Sequence, residues 1–302
     1  MNLGRTQEAR QTLEQALTRK LENLYLHTDL YWVAFLQGDQ ATMQQQMDWA
    51  KGRPGEEDLL LTMQSDTEAY FGRMGEARDF SKRAVESARH ADEPETAAQW
   101  QAQSALREVE FGNAGLARSE AKAARQIGSR RVTDAVIALA LARGGDVAQA
   151  QAIADALDKK YPHDTQLQGY SLPSIRAAIA LQKNDAAKAI EVLQPAAVYE
   201  LVGPGYLLGI MYPALLRGEA YLRLKQGKDA AAEFQKILDH PGIVMNHPTG
   251  ALSHLGLARA YAMQGDTAKA KAEYQAFLTL WKDANPDIPI YQQAKAEYAK
   301  LQ

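Results

Sequence analysis

Every 33 to 41 residues the chain returns to the same short pattern. Gly4, Gly38, Gly72, Gly112, Gly145, Asn184, Lys225 and Gly265 sit at equivalent places, with gaps of 34, 34, 40, 33, 39, 41 and 40 residues. Five residues past each comes Ala9, Met43, Ala77, Ala117, Ala150, Ala189, Ala230 or Ala270. Seven further on comes Ala16, Ala50, Ala84, Ala124, Leu157, Ala196, Ile237 or Phe277. A turn former followed by small residues at helical offsets predicts a helix ending at each turn and another beginning after it. One such hairpin cannot bury its apolar face alone, so neighbours must stack. The fold expected is all-α: one α-solenoid over residues 1–302, of about eight helix-turn-helix units.

Within a unit, helix A precedes the turn and helix B follows it. In the third, Glu57 to Phe71 is A, Gly72-Arg73 the turn, and Met74 to His90 is B. Ala77, Ser81, Ala84 and Ala88 make one narrow face of that B helix, where a neighbouring helix must approach closely. Pro54, Pro94, Pro162, Pro241 and Pro286 fall between units and act as stops. Pro173 and Pro213 fall inside A segments, so Pro213 marks a kink or a late helix start. The stretch 197–205, with Gly203-Pro204-Gly205, reads as an inserted loop. Met1 is followed almost at once by a turn, so the first unit has a B helix without its A helix. This leaves Leu13, Ala16 and Leu17 as an uncovered apolar face, open to self-association, and suggests the tail of a longer protein. Residues 288–302 read as a capping helix, with Ile290, Ala294, Tyr298 and Leu301 on one side.

Composition narrows the partners. The chain has 34 basic and 37 acidic residues, net charge -3, and no basic run longer than pairs such as Arg130-Arg131, which argues against nucleic acid. Cysteine is absent, excluding disulfides and thiolate metal sites. The stretch Tyr206 to Leu216 is too short and too interrupted to span a membrane. A soluble, cytoplasmic location is the default expectation, and an extracytoplasmic one follows if a parent protein spans a membrane.

A period near 34 residues with these helical offsets resembles the tetratricopeptide repeat family, which implies a right-handed superhelix of the units. Several segments further resemble the C-terminal repeat region of bacterial eukaryotic-like serine/threonine kinases and related winged-helix regulators. These are TEAYFGR (Thr67 to Arg73), ALREVEFGNAGLAR (Ala105 to Arg118), EFQKILDHPGIV (Glu233 to Val244) and, most strongly, HLGLARAYAMQGDTAKAKAEYQAFLTLWKDANPDIPI (His254 to Ile290). QAKAEYAKLQ follows at the terminus. The resemblance implies an interaction or sensor module of a signalling protein.

Chemistry-bearing motifs are not found. Asp79-Phe80 is followed by Ser81, so no kinase Asp-Phe-Gly is present, and neither a glycine-rich nucleotide loop nor a P-loop occurs. His240, His247 and His254 are spaced seven apart, but Pro241, Gly242, Pro248 and Gly250 break the segment. They read as loop and cap histidines rather than metal ligands. Glu56-Glu57-Asp58 and Glu108 with Glu110 read as solvated helix faces. The expectation is a non-enzyme with no cofactor and no metal.

The functional surface is expected on the inner curve, where A helices line a groove. In the tetratricopeptide pattern that the chain resembles, the residue six before each turn points there, which here gives Trp32, Asp66, Leu106, Leu139, Ala178, Glu219 and Arg259. Trp32 and Tyr70 are candidate aromatic anchors, with inter-helix packing as their other reading. Glu219 and Arg259, on adjacent repeats, are placed to pair with each other. The basic clamp by which some tetratricopeptide domains hold a chaperone's terminal carboxylates is not visible. The primary reading is a protein-interaction scaffold that takes a peptide or helix in its groove. The alternatives are a self-assembling solenoid and a small-molecule sensor.

Overall fold

All eight repeat positions adopt left-handed backbone, with φ between 59° and 93°, Asn184 and Lys225 included. The chain is described by a computed structural model over residues 3–201 and 211–301. The Gly203-Pro204-Gly205 loop lies outside the described residues. Helix α1 (Thr6–Thr18) follows Gly4. Antiparallel pairs come next: α2 (Leu24–Gln37) with α3 (Gln40–Ala50), α4 (Glu57–Tyr70) with α5 (Met74–His90), and α6 (Pro94–Glu110) with α7 (Ala114–Ile127). Then come α8 (Arg131–Arg143) with α9 (Val147–Lys160), α10 (Leu172–Gln182) with α11 (Ala186–Leu193), and α12 (Tyr212–Arg223) with α13 (Gly227–Leu238). A single turn, α14 (Pro241–Val244), leads to the pair α15 (Pro248–Met263) and α16 (Thr267–Leu280), and α17 (Pro289–Ala299) closes the chain.

One local device stops every A helix. The amide after each left-handed residue bonds back to the carbonyl five positions earlier, as Asp39 to Ala34, Arg73 to Glu68, Asn113 to Glu108, Asp146 to Leu141, Asp185 to Ala180, Gln226 to Tyr221 and Asp266 to Tyr261, at 2.9–3.0 Å. This is the bond that satisfies the last open carbonyls of a helix when the residue past its end turns left-handed. At four turns the next residue is an aspartate that starts the B helix: Asp39, Asp146, Asp185 and Asp266 accept from the amides of Thr42, Gln149, Lys188 and Lys269.

Packing follows the register. Ala77, Ala117, Ala150, Ala189, Ala230 and Ala270 are buried, as are Ala50, Ala84, Ala124, Leu157, Ala196, Ile237 and Phe277. The prolines behave as stops or starts. Pro173 and Pro213 lie in the first turns of α10 and α12, and a π-helical turn (Leu167–Ser171) precedes α10. Pro213 therefore marks a late start, not a kink. After α11 the chain continues as a 3-10 helix (Gln194–Tyr199). Helix α1 has no buried residue, whereas α17 buries Ala294 and packs Ile290, Tyr298 and Leu301 on the core. Among the described residues no helix is long and apolar enough to cross a membrane.

The array curls until its last unit meets the third and fourth. Helix α15 lies against α4. The segment after α16 docks on the turns of the third and fourth units: the Asn285 amide donates to the Gly72 carbonyl at 3.1 Å, its side chain accepts from the Gly75 amide at 2.8 Å, and the Ile290 amide donates to Phe111 at 3.3 Å. Trp281, fully buried, stacks on Phe111 at 5.1 Å and donates its indole N–H to the Tyr70 carbonyl at 3.0 Å. Gly72 is required twice over, because a Cβ there would also meet Ala284 at 2.6 Å and the Trp281 ring at 2.8 Å.

Candidate functional site

The inner surface is not an open groove along its length. Leu139 and Ala178, two of the positions six before a turn, are 0% and 1% exposed inside the main core, where α6, α8, α10 and α12 pack on one another. Polar contacts tie the same helices. Arg143 at the end of α8 donates to Glu110 of α6 at 2.8 Å and to Glu219 of α12 at 2.9 Å, and the Tyr212 hydroxyl donates to Glu110. Burial pushes the Glu110 carboxyl up, with Arg143 opposing. Arg143 is held well above its ordinary value: burial opposes the charge, but Glu110 and Glu219 outweigh it.

Two expectations are corrected here. Glu219 pairs with Arg143, and Arg259 pairs with Glu297 at 2.9 Å, so the two do not pair with each other. Asp58, Glu108 and Glu110 are not solvated faces. Asp58 accepts the Trp100 indole N–H at 2.6 Å, and Glu108 takes Arg78 at 2.6 Å and Asn113 at 2.8 Å. Burying a carboxylate is costly unless donors meet it. Trp100 and Arg78 of neighbouring units supply donors to Asp58 and Glu108, and Asn113 adds one from the same unit, while the second Asp58 oxygen has no hydrogen-bond partner among the described residues. The three histidines have separate surroundings. His240 bonds the Lys236 carbonyl at 2.7 Å, His247 bonds Thr249 at 3.0 Å, and His254 meets Glu273 at 2.8 Å.

The A helices of units two to four share part of an inner surface. Trp32, Asp66 and Leu106, the equivalent positions of these units, line one recess of about 60 Å³ together with Leu59, Thr62, Met63, Trp100, Gln103, Arg107 and Glu110. At roughly 10–15 Å³ of such space per water, it has room for a few waters or one small side-chain tip. Its walls are mostly apolar. Its polar floor is the Asp66–Arg107 ion pair at 2.5 Å, and Arg107 also reaches Ser81.

The lid comes from the far end of the chain. Asn246, His247 and Pro248, between α14 and α15, complete the recess. The Trp32 indole N–H donates to the Asn246 side-chain carbonyl at 2.9 Å, and the Asn246 amide donates to the Met63 carbonyl at 2.7 Å and Thr67 at 3.0 Å. Burial lowers the His247 pKa, with Asp66 opposing and Arg107 reinforcing. Sequence reasoning missed this lid, since Asn246 and Trp32 stand 214 positions apart and no repeat offset relates them. Tyr70 lies outside the recess, against Phe35 and Phe71 at ring distances of 5.1 and 5.3 Å.

The tetratricopeptide repeat family matches residues 137–164 and 253–284, the fifth and eighth units. No curated protein matches the sequence. Among solved structures, the chain is similar to the Cut9–Hcn1 hetero-tetramer of APC/C, with 15% identity and a TM-score of 0.49 over 97% of this chain and 53% of that one. It is similar to yeast Tom70 at 14% identity and 0.47, over 98% and 58%, and to the P58(IPK) TPR domain at 13% and 0.35, over 99% and 94%. The chain thus spans little more than half the length of the Cut9–Hcn1 and Tom70 chains that it matches.

Proposed function

Since this chain is built from tetratricopeptide repeats, we propose that it is a non-catalytic protein-interaction scaffold, its units acting as one solenoid. Its partner is a peptide or helix that places one apolar side chain in the recess between α2, α4 and α6. One observation carries this reading: the inner-facing positions of three successive units, Trp32, Asp66 and Leu106, converge on one recess. A small pocket walled by two tryptophans, with a charged pair at its floor, suits an anchor side chain whose neighbours lie on the rim. Asp66 and Arg107 already satisfy each other, so apolar contact supplies the affinity and the ion pair sets orientation. Tyr70, Glu219 and Arg259, engaged elsewhere, are left out of this surface. The likeness of His254 to Ile290 to kinase-associated repeats supports a place in a bacterial signalling protein.

The test is a photo-crosslinking amino acid at Leu59, on the rim, against the same group at Lys122 on α7, applied to lysate of the source organism. A defined polypeptide captured at position 59 and not at 122 is expected. No capture at 59, or equal capture at both, contradicts the reading.

A further inference from the structure

The contact of Asn246 with the N-terminal units has the form of a releasable latch. Asn246 is 4% exposed and bonds both sides of one joint: Trp32 on the second unit, and Met63 and Thr67 on the third. Open clefts flank that joint. Two recesses of about 230 and 280 Å³ lie between α3 and the α4–α5 pair and share Gln44 and Gln64. The apolar cluster around Tyr31, Trp32 and Met63 is separate from the main core, and Met245 packs against both. The second unit also meets the third through Tyr31, whose hydroxyl bonds Gln64 at 2.6 Å and Thr67 at 2.8 Å, so Asn246 adds its bonds to a joint with which it shares Thr67.

The latch segment is itself strained. Met245 holds φ 53° and ψ -130°, a conformation outside the regions that residues with a side chain favour. Strained, over-determined backbone of this kind accompanies elements with two arrangements. Trp32 and Met63, two of the three residues that Asn246 engages, also stand on the recess assigned above to a partner, and Asn246, His247 and Pro248 form part of its wall.

We propose that the segment Met245 to Pro248 is an intramolecular latch that autoinhibits the recess. Latched, it joins units two and three and occupies the inner face. Released, units one and two turn about their joint with unit three, and the partner polypeptide takes the place of Asn246 against Trp32 and Met63. This rests on the recess being the partner site. A partner that binds only the open state has its apparent affinity reduced by the fraction open, so loosening the latch strengthens binding.

The test uses the full chain, which has no native cysteine to interfere. Spin labels at Gln45→Cys on α3 and Lys82→Cys on α5 report the joint by electron–electron distance measurement. Asn246→Asp keeps the shape and the acceptor for Trp32, but it loses both donations and sets a carboxylate against the Met63 carbonyl. Loss of two hydrogen bonds should raise the open population by on the order of tenfold. A second, longer distance should appear, with the melting profile of the rest of the array retained. Asn246→Ala is the companion variant and should do the same. Capture at position 59 should rise with the open fraction. Unchanged distances in both variants overturn the latch. Changed distances with unchanged capture overturn autoinhibition while leaving the hinge. Changed distances with no capture in any form show instead that the recess is not the partner site, and autoinhibition falls with it.

Discussion

At the residue scale, two kinds of turn residue do the same work at different cost. A left-handed φ costs a residue with a Cβ roughly 1–2 kcal/mol, and glycine escapes this. Asn184 and Lys225 hold φ 59° with side chains. Asn184→Gly and Lys225→Gly should therefore raise stability by about 0.5–1 kcal/mol, a little less than the strain removed because glycine also loosens the unfolded chain. Gly38→Ala, with nothing within 4 Å of the new Cβ, should cost about 1 kcal/mol. Gly72→Ala should cost clearly more, because its Cβ would strike Ala284 and Trp281. Chemical denaturation of the four variants checks the order; equal costs at Gly38 and Gly72 would contradict the docking of Trp281.

His247 carries the pH dependence of the lid. Its Nδ1 accepts from the Thr249 amide at 3.3 Å, which only an unprotonated nitrogen can do. Its pKa is lowered in the folded state, burial being the chief cause. A depressed histidine pKa contributes stability that is present above the unfolded value of about 6.5 and is lost as pH falls through the folded one. The wild type should therefore lose melting temperature below about pH 6.5 more steeply than His247→Gln. Parallel curves from pH 7.5 to 5 would contradict this.

At the element scale, α1 is the least secured helix. It buries no residue, and Arg10 anchors it through Asp39 at 2.8 Å. The Asp39 carboxylate, held down to about 2 mainly by the Thr42 amide and also by the Thr42 hydroxyl and Arg10, keeps that anchor charged at neutral pH. Leu13, Ala16 and Leu17 are half-buried, while Leu3 is 83% and Leu21 59% exposed. Weak self-association through this end should appear in light scattering across a concentration series and vanish in the Leu13→Glu, Leu17→Glu double variant. Concentration-independent monomer mass, with α1 amides well protected from exchange, would contradict it.

The elements were legible in the sequence because their causes are local. Gly72 stops α4, small residues such as Ala117 and Ala150 set the helix spacing, and Pro213 starts α12. The candidate site was half legible for the same reason: the offset of six found Trp32, Asp66 and Leu106. It failed to show that Leu139 and Ala178 are sealed in the core, since that depends on how tightly the array curls. It also gave no sign of Asn246, of the Arg143–Glu110–Glu219 contacts, or of Trp281 on Phe111. These join residues 33 to 214 positions apart; Glu110 and Arg143 stand at the same place before their turns, but no single repeat offset relates the other pairs. The buried acids Asp58 and Glu108 looked solvated because their partners, Trp100 and Arg78, lie on other units.

At the scale of the whole molecule, curvature decides which surfaces stay open. A loosely wound array presents a long groove, whereas here α15 returns to α4 and the 281–290 segment seals two turns, leaving a lidded recess in place of the groove. Nearest-neighbour stacking alone would let units be removed from the end with independent effect. Closure instead couples the last unit to the third and fourth. Small-angle X-ray scattering tests this most directly. A closed array of 302 residues should have a radius of gyration close to the compact-chain value of about 19 Å, with a single-peaked distance distribution. A radius well above that, with the long tail of an extended superhelix, would contradict closure and with it the lid, the recess and the latch.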